Sequence, residues 1–114
     1  MDIVTSVMVL ILPAAVLSMG LIFKLRPPRQ INLLYGYRTK RSMASQEAWD
    51  AAHRMGGQIW TAIGVALLTL SVPAVLFLSA DKVTVTCIVY GASFVGIIIP
   101  LVIIQYRLKK AVDK

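Results

Sequence analysis

Residues 3–23 read IVTSVMVLILPAAVLSMGLIF, twenty-one positions without Asp, Glu, Lys, Arg or His. At about 1.5 Å rise per residue, such a run crosses a hydrocarbon core of roughly 30 Å as a helix. Two further uncharged runs are as long: QIWTAIGVALLTLSVPAVLFLS at 58–79 and VTVTCIVYGASFVGIIIPLVIIQY at 83–106. Lipid offers the backbone no hydrogen-bond partners, so each run must satisfy itself as a helix. A closed β-barrel needs many alternating strands of about ten residues, and the sequence has none. The expectation is an all-α membrane protein whose first partner is the lipid bilayer. Residues 1–114 form one unit with transmembrane helices at about 3–23, 58–79 and 83–106. A long cytoplasmic loop, 24–57, is expected to contain a short interfacial helix.

The chain is 58% hydrophobic and carries a net charge of +7. A basic balance first suggests nucleic acid, but the placement of the charges argues against direct nucleic-acid binding. Lys24, Arg26, Arg29, Arg38, Lys40, Arg41 and Arg54 fall in the first loop, and Arg107, Lys109, Lys110 and Lys114 follow the third run. Only Lys82 lies in the second connection. This asymmetry is the positive-inside pattern. It predicts a multi-pass membrane protein, N-terminus outside and C-terminus cytoplasmic. The first run lacks a basic leader and is long for the apolar region of a signal peptide, so it is expected as an uncleaved span.

One cysteine, Cys87, excludes an intramolecular disulfide, and one Cys with one His does not make a metal site. No metal and no cofactor is expected. Each span holds one proline, Pro13, Pro73 or Pro100, read as a packing kink. Small residues recur four apart at Ala14/Ser18, Ala62/Ala66 and Ala92/Gly96. They suit close helix approach within one chain or in a homo-oligomer.

The first loop carries most of the chemistry. Pro27-Pro28 stops the first helix. Asn32, Tyr35, Tyr37, Arg38 and Thr39 then supply donors, acceptors and aromatic faces within eight residues, and Gly36 permits a positive φ. Arg38 can fork to a carboxylate, a phosphate or backbone carbonyls. Tyr35 and Tyr37 fit an interfacial anchor more readily than a site when read alone. Ser42 or Ser45 is a candidate helix N-cap, and Asp50 and Arg54 are spaced to pair. Trp49, His53, Gly57 and Trp60 share one helical face. That face is either an amphipathic surface helix with tryptophan anchors or a pocket closed by residues 35–39. Gly56-Gly57 is read as a hinge or a close-packing point.

These residues resemble the signature of the SdpI family of bacterial membrane proteins. The resemblance rests on Asn32, Tyr35-Gly36-Tyr37-Arg38-Thr39, Ser45-Gln46-Glu47-Ala48-Trp49, Ala52-His53-Arg54 and Gly56-Gly57. Lys40 stands where that family often has proline. The resemblance implies an immunity or resistance protein acting against a membrane-active peptide toxin. It also implies signalling through the cytoplasmic loop to a cytosolic repressor. The family's namesake is longer, with more spans. The motif residues Asn32, Tyr35, Gly36, Arg38, Thr39, Trp49, His53 and Gly57 are the candidates for a partner-binding or structural site.

Two other functions compete. A small transporter or channel subunit suits the length, but no span holds an ionisable carboxylate or base, the usual mark of ion coupling. An enzyme is not expected. His53, Glu47, Asp50 and Arg38 are polar, yet no Ser or Cys nucleophile stands beside a base in a recognised motif.

Overall fold

The computed structural model describes residues 2–32, 36–77 and 81–112. It contains three helices: α1 (Ile3–Leu25), α2 (Gln46–Phe77) and α3 (Lys82–Val112). All three are long and apolar enough to cross a membrane. Each begins at a residue whose side chain accepts from the first turn, as orphan helix N–H groups require. Asp2 Oδ1 accepts from Thr5 N at 3.0 Å, Ser45 Oγ from Ala48 N at 3.0 Å, and Asp81 Oδ1 from Thr84 N at 2.7 Å. Of the two candidate serines, Ser45 is therefore the cap of α2. Helix α1 ends at Arg26, whose N–H bonds to Ile22 O, and Pro27-Pro28 cannot extend it.

Among the described residues there is no separate interfacial helix. Helix α2 runs through Gly56-Gly57 without a break for 32 residues. That is about 48 Å, well beyond a hydrocarbon core of roughly 30 Å, so its first turns continue past the uncharged stretch that begins at Gln58. The connection shortens to residues 26–45, and its described parts, 26–32 and 36–45, fold against this extension. Helix α3 likewise carries the basic residues Arg107, Lys109 and Lys110 as further helical turns.

The two glycines are packing points rather than a hinge. Helices α1 and α2 pair antiparallel along a seam of glycines, the most extensive contact in the molecule. A Cβ on Gly57 would lie 2.7 Å from Lys24 N. Side chains on Gly20 and Gly64 would strike the backbones of Thr61 and Leu17. This seam replaces the expected small-residue pairs: Ala14, Ser18, Ala62, Ala66 and Ala92 are all exposed, and only Gly96 of that set is buried. All three helices continue through their prolines.

Two apolar clusters fill the bundle. One, at the end bearing the 26–45 connection, includes Phe23, Tyr37, Ala52, Trp60, Ile104 and Leu108. The other, at the opposite end, is Val9, Val75, Val85 and Val89. Large side chains such as Leu70 (74% exposed), Ile88 and Val102 cover the outside. An apolar surface of this extent suits contact with lipid.

Candidate functional site

The connection returns to the bundle at Gly36, and only glycine fits there. Its φ is +119°, and a Cβ would lie 2.8 Å from His53 Nε2 and 2.9 Å from Pro28 Cγ. This close approach places the next backbone N–H on a side chain of α2. Tyr37 N donates to His53 Nε2 at 2.8 Å. Because that N–H can only donate, Nε2 accepts, and the neutral ring carries its proton on Nδ1, 2.7 Å from Trp49 O. His53 is thus a backbone-to-backbone bridge with both nitrogens used. Phe23 of α1 meets the ring edge-on at 4.9 Å, and Trp49 lies against it at 4.4 Å.

Trp49 fixes the start of the connection. Its indole Nε1 donates to Pro28 O at 2.6 Å. One turn earlier, Gln46 Nε2 donates to Arg29 O at 2.6 Å and to Asp50 Oδ1 at 2.8 Å. The expected Asp50–Arg54 pair is accordingly replaced by a Gln46–Asp50 bond.

The segment after Gly36 closes on itself and on α3. The single Ser42 Oγ hydrogen is shared between Tyr37 O (2.7 Å) and Thr39 O (3.0 Å), while Oγ accepts from Thr39 N (2.9 Å). Ser42 N returns a bond to Thr39 Oγ1 at 3.2 Å. The amide of Gln105 in α3 donates to both Tyr37 Oη (2.7 Å) and Thr39 Oγ1 (2.8 Å). Burial raises the Tyr37 phenol above its ordinary pKa, partly offset by the Gln105 bond, so the phenol stays neutral.

The predicted site residues do not all share one place. Gly36, Thr39, Trp49 and His53 come together, with residues 36–39 closing over Trp49 and His53. The space between them is filled, so they form a clasp rather than an open pocket. Gly57 serves the α1–α2 seam. Asn32 is half-buried, with Nδ2 bonded to Gln30 O at 2.9 Å. Arg38 is exposed although both neighbours in sequence are held. Tyr35 lies outside the described residues.

Of the two readings open for three aromatics, interfacial anchor or site, the structure excludes the anchor, since all three are internal. Trp49, Trp60 and Tyr37 are at most 5% exposed. Sequence reasoning left Pro28, Ser42 and Gln105 out of the candidate set. Gln105 had a signal, being the sole side-chain amide in 83–106. Ser42 had only its competing reading as a cap, and the Pro28 contribution is a backbone carbonyl, which no side-chain pattern announces.

Comparison with known proteins covers the stretch that builds this geometry. The family model described as the SdpI/YfhL protein family matches residues 29–104. That span contains the clasp from Gly36 to His53; Pro28 and Gln105 lie immediately outside it. A Bacillus subtilis (strain 168) protein, titled uncharacterized protein YfhL, is 42% identical over 48 residues. The alignment covers 42% of this chain and 44% of that relative, so less than half of the relative's length is represented. No solved structure matches the chain. The family model covers well over half of the sequence, and the chain belongs to the SdpI/YfhL family.

Proposed function

We propose that this is an immunity-type protein of a bacterial inner membrane, protecting the cell against a membrane-active peptide toxin. Family membership supports the immunity class. The observation that carries the residue-level reading is the contrast at Tyr37-Arg38-Thr39. Tyr37 and Thr39 are bonded to α2 and α3, whereas Arg38 between them is exposed. A fixed turn thereby presents a planar cation, suited to a carboxylate or carbonyl group of a partner. In this reading the clasp and the basic helix ends face the cytoplasm. The toxin is met within the bilayer, because only residues 78–81 separate α2 from α3. Toxin occupancy is passed through α2 and α3 to Arg38, which engages a cytosolic repressor. The chain works by binding, without catalysis.

Expression should protect a sensitive bacterium challenged with a panel of membrane-active peptides. Arg38→Ala should reduce that protection at unchanged protein level and unchanged melting midpoint, while Lys40→Ala should not. Protection lost equally in both variants would reduce Arg38 to a topology charge. No protection against any peptide, together with solute flux in proteoliposomes, would replace immunity with a transporter or channel. Orientation is read separately, on a Cys87→Ser background. A cysteine at position 40 should resist an impermeant thiol reagent in intact cells, and labelling there would invert the topology.

A further inference from the structure

Beside His53, the structure leaves a cavity of about 550 Å³ at the junction of α1 and α2. Lys24, Arg29 and Arg54 line it, with a single carboxylate, Asp50. Among the described residues, no carboxylate makes an ion pair with any of the three cations, and one oxygen of Asp50 is occupied by Gln46. The rim is held in place. Two consecutive carbonyls of the connection, Pro28 O and Arg29 O, are each bonded at 2.6 Å to a side chain of α2. Phe23 and Pro27 supply an apolar wall.

The position in the fold adds to the chemistry. Lys24 follows the uncharged stretch of α1, and Arg54 lies one turn before that of α2. The cavity therefore sits where hydrocarbon gives way to headgroups, with apolar and cationic walls side by side. Arg29 and Arg54 can fork onto the oxygens of a phosphate, and Lys24 adds a point charge. Charges serving topology alone need no shared cavity and no fixed rim.

We propose that this cavity binds the phosphate of an anionic amphiphile, a phospholipid headgroup whose glycerol end rests on Phe23 and Pro27. The shared chemistry is a phosphate, which soluble phosphate also offers, and the test separates the two sources. Purified full-length protein in non-ionic detergent is titrated with short-chain phosphatidylglycerol, with phosphatidylcholine of equal chain length, and with inorganic phosphate. Native mass spectrometry reads the adducts. Phosphatidylglycerol should bind saturably and in preference to phosphatidylcholine. Loss of one charged hydrogen-bonding group should weaken binding about tenfold or more in Arg54→Gln and in Arg29→Gln. The same charge change outside the cavity, in Lys40→Gln or Lys110→Gln, should leave it within about twofold, as for a screened, exposed charge. Each variant is compared at an unchanged melting midpoint, and two cavity variants on different elements guard against a folding artefact. Inorganic phosphate binding as tightly as the lipid would keep the site and assign it to a soluble ligand. Non-saturating uptake, or equal losses in cavity and control variants, would overturn the proposal. The assay does not read protection, so it stands or falls independently of the immunity reading.

Discussion

The two ends of the bundle are held by different means. The end bearing the connection is bonded through side chains of α2, α3 and the connection: Trp49 and His53 of α2, Gln105 of α3, and Ser42 and Thr39 of the connection itself. The opposite end is a cluster of four valines, with one side-chain hydrogen bond between helices among the described residues, Tyr90 Oη to Met8 O at 2.6 Å. Solvent explains the contrast. Within lipid, packing valine against valine gains little over packing it against acyl chains, so close fit must hold the helices. Past the hydrocarbon boundary water competes for every polar group. There, burial of Trp49, His53 and Tyr37 brings both a hydrophobic gain and the obligation to satisfy each donor and acceptor. Specific chemistry therefore concentrates at one end.

If that contrast is right, the largest loss should come from a single methyl group at Gly36. Gly36→Ala puts a Cβ on a residue at φ +119°, where side chains are strained, and within 2.9 Å of both His53 Nε2 and Pro28 Cγ. The His53–Tyr37 bond must shift or break. A strained backbone of this kind costs about 1–3 kcal/mol, to which the displaced hydrogen bond adds. Both tryptophans lie in or beside the clasp, so their fluorescence reports its unfolding. A melting midpoint within error of wild type would show that the clasp contributes nothing to the fold.

A smaller effect should distinguish the two buried tryptophans. Trp49 Nε1 has Pro28 O as partner, whereas Trp60 Nε1 is buried without a partner. Trp49→Phe should cost about 1–3 kcal/mol, because it leaves a buried carbonyl unsatisfied. Trp60→Phe removes a donor that already lacks a bond, and that relief offsets the packing lost against Tyr37 and Phe23. Its expected net change is under about 1 kcal/mol. Equal destabilisation in chemical-denaturant titrations would mean that ring volume, and not hydrogen bonding, sets the value of this end.

The same contrast governs what was readable from sequence. The three spans were legible because length without charge is enough to require a helix in lipid. The face shared by Trp49, His53, Gly57 and Trp60 was legible as well, and all four are buried. That face keeps its phase into the uncharged stretch, which is why α2 continues where a separate interfacial helix was expected. Burial of the aromatics was not legible. A tryptophan or tyrosine with one polar tip suits a headgroup region and a buried carbonyl equally well. Nor was the glycine seam, because the exposed pairs Ala14/Ser18 and Ala62/Ala66 have the same spacing signal. The link from Gln105 to Tyr37 joins residues 68 apart, and no local period encodes it.

The smallest effect is expected at the far end, from Tyr90→Phe. The ring stays, so packing is preserved, and only the hydroxyl that joins α3 to Met8 O of α1 is removed. Interhelical hydrogen bonds in membrane proteins average about 0.6 kcal/mol, because the separated helices find other partners. The loss should therefore be about that size, and smaller than for Trp49→Phe. The tryptophans are remote from this end, so far-UV circular dichroism through a denaturant titration is the suitable measurement. A loss matching that of Gly36→Ala would show that the valine end also depends on a polar lock. The division between a bonded end and a fitted end would then fail. A loss near the small expected value would leave shape complementarity among Val9, Val75, Val85 and Val89 as what holds α1, α2 and α3 together there.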